Sequence, residues 1–263
     1  MNMEGQGIID IEFWRLMAAY FFVLILLIIV RWRGIAREKQ IIIATFRMTI
    51  QLVLAGYVLT YLFANPNPLL TTLFLAAMSL FSIYTIFKST GYPLHNKIKG
   101  VIALSMLCGP LFALLYFNSI VIHFKPWYEP RYFIPIAGMI VGNAMTGITL
   151  ALKSLLDNLK GHRDKVEGAL MLGAAPAKAS KIYVDKAFDS AVLPTLNNML
   201  GMGIIFLPGM MTGQMLSGIS PLVAIEYQIA ILLGILGSVS LTVILFIILG
   251  YRAFFTKHAQ LDV

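Results

Sequence analysis

Residues 13–33 read FWRLMAAYFFVLILLIIVRWR. From Phe13 to Val30 the run is about 18 residues, roughly 27 Å as a helix and close to the ~30 Å of a bilayer's hydrocarbon core. Only Arg15 interrupts it, and Arg31, Trp32 and Arg33 close it. No small-residue cleavage pattern follows, so it reads as a retained first span rather than a removed signal peptide. The rest of the chain repeats the theme. Of 263 residues 59% are hydrophobic and 12% charged, with a mean hydropathy of +0.83. That balance lies far outside the soluble range and implies an all-α integral membrane protein, multi-pass in the cell membrane.

Apolar length places about seven transmembrane helices, at 13–30, 41–63, 69–87, 101–117, 132–152, 191–207 and 222–249. Basic residues orient them, because cationic loops stay cytoplasmic. Arg31, Arg33, Arg37 and Lys39 follow the first span; Lys88, Lys97 and Lys99 follow the third. Lys153, Lys160, Arg163, Lys165, Lys178, Lys181 and Lys186 lie between the fifth and sixth, and Arg252 and Lys257 in the tail. Sixteen of the 20 basic residues thus share one face, against Lys125 and Arg131 opposite, while Glu4, Asp10 and Glu12 mark the amino terminus. The expected topology is N-terminus outside and C-terminus cytoplasmic. The net charge of +8 follows from this arrangement and implies no nucleic-acid partner. Residues 200–225, with Pro208, Pro221 and several glycines, read as either a short outer loop or a broken, partly re-entrant element. With no hydrophilic domain or repeat evident, residues 1–263 are expected to form a single transmembrane domain.

The longest cytoplasmic loop, about 153–190, contains EGALMLGAAPAKASKIY at 167–183. It reads as helix, break, helix. Glu167, Leu170 and Met171 share one face; Gly173 suits the left-handed residue that ends a helix, and Pro176 the first turn of the next. The expected product is a helical elbow between spans five and six with a small apolar knob, although an ordinary amphipathic hairpin would read the same way.

This elbow resembles the EAA loop of ABC-transporter permeases, a glutamate, small residues and a glycine six positions on, which docks on an ATPase subunit. Glu167, Gly168, Ala169 and Gly173 fill those positions. Gly168 stands where the loop usually has alanine, and the Leu193-Pro194 pair comes later than usual. Three further stretches, FRMTIQLVLAGYVL at 46–59, PIAGMIVGNAM at 135–145 and LPGMMTGQMLSGISP at 207–221, with Tyr227 and Gln228, resemble the FetB family of permeases. That family is read as the membrane half of an iron exporter and is similar to plant aluminium-sensitivity permeases. The resemblance runs from about residue 40 to 250 and implies a homodimer with two cytoplasmic ABC ATPase subunits. It makes Glu167, Gly168, Ala169, Leu172, Gly173, Ala174 and Pro176 the coupling surface. The chain has no GxxxxGK[ST] loop to cradle nucleotide phosphates, so it binds no cofactor itself; ATP and magnesium belong to the partner.

Polar side chains inside spans are costly and therefore candidates for the substrate path. Arg47 and Gln51 lie one turn apart; a gating or substrate cation is one reading of Arg47, and a structural arginine bonding helix ends or reaching the interface is the simpler one. Asn143 and Thr146 follow a Gly138/Gly142 pair suited to close helix approach, where they can bond across the contact. Asn197 and Asn198 follow Pro194, whose freed carbonyl Thr195 or an asparagine can satisfy. Met210, Met211 and Met215 flank Gly209, Gly213 and Gln214; thioethers suit soft cations such as Cu(I), and packing is the simpler reading. Glu226 and Gln228 complete the set.

No metal site is legible. Cys108 is the single cysteine, and His95, His123, His162 and His258 are widely separated, without HxxxH or HExxH spacing. No nucleophile with a base and no paired carboxylates suggest an enzyme. The expected function is therefore an ABC permease exporting metal ions. The alternatives are a secondary transporter or channel working without an ATPase, or an ABC permease for a non-metal substrate such as a nucleotide-sugar.

Overall fold

A computed structural model describes residues 11–92, 94–256 and 260–261. Glu4, Asp10, Lys257 and His258 lie outside the described residues. The helices are α1 (Phe13–Ala19), α2 (Phe21–Trp32), α3 (Glu38–Ala64), α4 (Pro68–Ser89), α5 (Asn96–Tyr116), α6 (Pro130–Gly161), α7 (Arg163–Met171), α8 (Pro176–Gly201), α9 (Gly209–Leu216) and α10 (Pro221–Gly250). A π-helical turn, Phe117–Ile122, extends α5, and a 3-10 turn, Tyr251–Phe254, extends α10. No strand occurs among the described residues; two isolated bridges are the only extended pairings there.

Proline sets several helix starts. Pro68, Pro130, Pro176 and Pro221 each open a helix, where the missing N–H has no intrahelical carbonyl to meet and the fixed φ is already helical. Asn67 adds a cap before α4 by accepting from the Leu69 N–H at 2.8 Å. Between α1 and α2, Tyr20 keeps right-handed helical angles, so the opening apolar stretch is nearly one continuous rod.

Six segments are long and apolar enough to cross a membrane: Phe13–Trp32, Glu38–Ala64, Pro68–Ser89, Asn96–Ile122, Pro130–Gly161 and Pro221–Phe254. Each contains one of the expected spans, and the chain is a multi-pass all-α membrane protein. The segment expected at 191–207 differs. It is the second half of α8, whose first half carries Lys178, Lys181, Asp185 and Lys186, with Asp189 at its midpoint, and the helix stops at Gly201. Residues 202–220 are neither a simple loop nor one helix, but a tight turn, the short α9 and a second turn.

Contacts divide the described residues into two units, one of 11–65 with 213–219, the other of the described residues from 66 to 212 and from 220 to 261. In the first, α2 packs on α3, and the Tyr20 hydroxyl meets Thr49 Oγ1 at 2.6 Å. In the second, α6 is the central helix, packed by α4, α5, α8 and α10. Its buried Ile136, Ile140, Ala144, Ile148, Ala151, Leu155 and Leu159 recur every three or four residues, as a buried helical stripe requires. Leu73, Leu80, Phe112 and Leu233 face outward, an exposure that lipid tolerates and water does not.

The close approaches in this bundle are made by glycines. A Cβ on Gly109 of α5 would stand 2.8 Å from Thr242 Cα on α10, and one on Gly147 of α6 would stand 2.9 Å from Val239 Cγ1. Gly250 lies against Val101, and Gly234 against Phe117. Equal steps up α5 match equal steps down α10, so the two run antiparallel. The Gly138/Gly142 pair has a different setting: Gly138 looks only on Met78 Cε at 3.3 Å, and Gly142 has nothing within 4 Å.

Candidate functional site

The elbow is built by backbone chemistry. At the end of α7 the Gly173 N–H donates to the Leu170 carbonyl and the Ala174 N–H to the Ala169 carbonyl, both at 3.0 Å. Gly173 has φ +88. This is a Schellman closure, which requires a left-handed residue and therefore favours glycine. Ala175 is extended and Pro176 starts α8. The corner is thus fixed within five residues.

Val166 is buried and Leu170 packs against the core, so that face anchors α7. Met171 and Leu172 are 86% and 90% exposed. Glu167, Leu170 and Met171 lie in one helix at the expected spacing; Leu170 sits on the edge of that face that meets the core, while Met171 projects from the corner. Glu167 pairs with Arg163 at 2.7 Å one turn earlier. Both side chains are substantially exposed, so Glu167→Gln is expected to change chain stability by less than about 0.5 kcal/mol, measured by thermal unfolding in detergent.

Around the corner the His162 ring stacks on Tyr183 with centroids 5.2 Å apart, and Ser190 Oγ donates to Ser154 Oγ at 3.0 Å, joining α8 to α6. The Tyr92 hydroxyl donates to Asp157 Oδ1 at 2.5 Å, and Lys160 Nζ sits 4.3 Å from the Tyr92 ring centre. Donation to the Asp157 carboxylate holds the Tyr92 phenol above its ordinary pKa. The base of the elbow is therefore tied to the transmembrane helices by polar contacts.

At the far end of α8 the chain folds back. The Gly203 N–H donates to the Phe206 carbonyl at 3.0 Å, the Ile205 N–H to the Gly201 carbonyl at 2.9 Å, and Gly203 takes φ +83. This turn returns the chain so that Met211 meets α8 and α10 around a cavity of about 380 Å³. Met199, Met202, Gly203, Leu207, Met211 and Gln228 line it with four apolar residues of α10. Gln228 is 7% exposed; its Nε2 donates to Met202 Sδ at 4.0 Å, and its Oε1 is buried with no hydrogen-bond partner among the described residues.

Residues 13–255 match the model of a family described as Uncharacterised protein family (UPF0014). The chain belongs to the UPF0014 family. It is 34% identical over 233 residues to UPF0014 membrane protein slr1647 of Synechocystis sp., covering 89% of this chain and 90% of that one. It is 32% identical over 245 residues to "Probable iron export permease protein FetB" of Escherichia coli, covering 93% of each. Protein ALUMINUM SENSITIVE 3 of Arabidopsis thaliana is 34% identical over 250 residues, with 93% of this chain and 88% of that protein covered. No solved structure matches the chain.

Within this UPF0014 chain, the polar residues expected along a path are not gathered at one place. Met211 and Gln228 meet at the cavity. Asn197, Asn198 and Glu226 are exposed on α8 and α10 and do not line it. Asn143 Nδ2 donates to the Met139 carbonyl at 2.8 Å and Thr146 Oγ1 to the Gly142 carbonyl at 3.1 Å. Both bond back to α6, and among the described residues neither makes a hydrogen bond to another helix. Thr195, Asn197 and Asn198 likewise make no hydrogen bond to a carbonyl freed by Pro194 among the described residues, because Asn197 and Asn198 point outward from α8. Arg47 and Gln51 share α3 as expected, and with Gln214 of α9 they fall in the first unit.

Met199 and Met202 escaped the sequence reading, which grouped Met211 with Met210 and Met215 as chain neighbours. Met199 lies in the last turn of α8 and Met202 just beyond its end, and only the 202–207 turn brings Met211 to them. Among the described residues no three or more of His, Cys, Asp and Glu come together as a metal-binding group.

Proposed function

We propose that this chain is the membrane permease of an ABC exporter, driven by a separate cytoplasmic ATPase that docks on the 171–175 corner. The observation that carries the reading is the near-complete exposure of Met171 and Leu172 at a corner closed by Gly173 and restarted by Pro176. Two large apolar side chains held in water by a rigid turn suit a groove on a partner, where buried anchors dominate affinity. Glu167, Gly168, Ala169, Ala174 and Pro176 frame this knob. Likeness to a protein named for iron export supports a metal ion as cargo and export as direction.

In this reading the N-terminus is outside and the C-terminus cytoplasmic. The second half of α8 together with the 202–207 turn makes a seventh crossing, while its charged first half stays in the cytoplasm. A homodimer accounts for Asn197 and Asn198: polar side chains directed out of one protomer at membrane depth are costly against lipid and are satisfied along a shared path between two copies. ATP and magnesium act on the partner. Co-expression with the candidate ATPase tests the reading. The ATPase is expected to co-purify with the chain and to be lost with Met171→Asp/Leu172→Asp, whereas retention by that double variant would sink the docking surface.

A further inference from the structure

We infer that the groove between the charged part of α8 and the last turns of α10 holds a phospholipid whose headgroup carries a primary ammonium, of the phosphatidylethanolamine class. The groove encloses about 390 Å³. Asp185 and Asp189 of α8 line it together with Phe188 and with Ile244, Ile247 and Ile248 of α10. The two aspartates stand four residues apart and so project from one face of their helix. Neither is sequestered: the Asp185 side chain is 57% exposed, and Asp189 is exposed as well. Asp185 holds Lys181 Nζ at 2.8 Å, whereas the Asp189 carboxylate makes no hydrogen bond or ion pair among the described residues.

The surroundings of the carboxylates select a lipid over a free cation. Helix α10 belongs to the membrane-crossing segment Pro221–Phe254, and the face that carries Ile244 and Ile248 continues outward through Leu241 to Leu233. Gly237, between those leucines, has nothing within 4 Å of its Cβ, so an acyl chain can lie along this face. Near Gly250 the same face reaches the aspartates. An aspartate has a single methylene and cannot carry its charge to water as a lysine stem does, so a carboxylate beside lipid-facing aliphatic side chains is stabilised by a cation brought to it. A primary ammonium donates three N–H groups, which carboxylates accept as charge-assisted hydrogen bonds. The quaternary nitrogen of choline has no N–H and favours aromatic cages, whereas this lining offers the ring of Phe188 alone among the described residues. Phosphatidylglycerol brings negative charge and no cation to the two carboxylates. Lys181 and Lys186, both exposed, alternate in sequence with the aspartates, and mixed signs along one helix edge suit a zwitterion. Because the site needs only this chain and a bilayer, its failure says nothing about ATPase docking, and failure of docking leaves the site standing.

The probe is a nanodisc containing phosphatidylethanolamine, phosphatidylcholine and phosphatidylglycerol in equal parts with matched acyl chains. Purified full-length chain is reconstituted in it and released into detergent, and the retained lipid is identified by native mass spectrometry. Phosphatidylethanolamine is expected to be retained about tenfold over each of the others, and successive N-methylation of its ammonium to weaken retention step by step. Asp185→Asn/Asp189→Asn removes both charges from exposed positions while conserving side-chain shape, and is expected to abolish the preference. Asp164→Asn, an equal charge change on α7 outside the groove lining, is expected to keep it. A monodisperse double variant with the parental preference overturns the proposal. So does a parent that retains the three headgroups alike or prefers either of the other two, or an equal loss with Asp164→Asn.

Discussion

If the chain is driven by an ATPase docked on the 171–175 corner, as proposed, Gly173→Trp is expected to abolish ATP-driven transport while leaving the permease folded. Two magnitudes separate these effects. Gly173 sits at φ +88, so any L side chain there strains the turn by about 1–2 kcal/mol, a local cost at an exposed corner. A Cβ at this position meets nothing within 4 Å in the chain itself, so the indole enters open space and disrupts no core. If a partner groove encloses Met171 and Leu172, the indole collides with it, and removing a central anchor of this kind typically costs 2 kcal/mol or more, at least about 30-fold in affinity. The readouts are ATPase co-purification, transport in proteoliposomes and melting in detergent. Transport at the parental level with normal melting would remove the corner from the coupling pathway.

Gly109→Ala is expected to destabilise the bundle by about 3 kcal/mol, and Gly109→Val to prevent folding. The new Cβ would stand 2.8 Å from Thr242 Cα, and the obstruction is backbone, so no rotamer change relieves it. Helices α5 and α10 must separate, weakening contacts from Val101–Gly250 to Phe117–Gly234. Gly142→Ala makes the opposite forecast: nothing lies within 4 Å of its Cβ, and alanine favours a helix interior by about 1 kcal/mol, so stability should hold or rise. Melting both variants in one detergent checks the pair. Equal loss in the two would mean that the α5–α10 crossing is not where tight packing is decided.

These glycines show what periodicity reveals and what it hides. The Gly138/Gly142 spacing suggests close approach, yet spacing alone cannot say which face has a neighbour; Gly109 and Gly147 gain their role from α10, more than ninety residues later. Local chemistry was more readable. Gly173 ends α7 and Pro176 starts α8 because a left-handed residue and a missing N–H are properties of those residues themselves. The end of α8 was not legible in this way. Gly201 and Leu207 both belong to an apolar run, and the helix stops where Gly203 and Phe206 can close a turn. The cavity depends on that turn, so Met199 and Met202 could not be joined to Met211 from chain order alone.

Helix α8 has one further consequence. It begins at Pro176, the second wall of the exposed corner, and it carries Met199 near its other end, at the cavity. Twenty-three residues at 1.5 Å each make a rod of roughly 35 Å, and its interior Pro194 is the natural place for it to flex. A rod of this kind behaves as a mechanical linkage: a displacement at its Pro176 tip reaches the cavity wall through one unbroken piece of backbone, attenuated only by the compliance at Pro194.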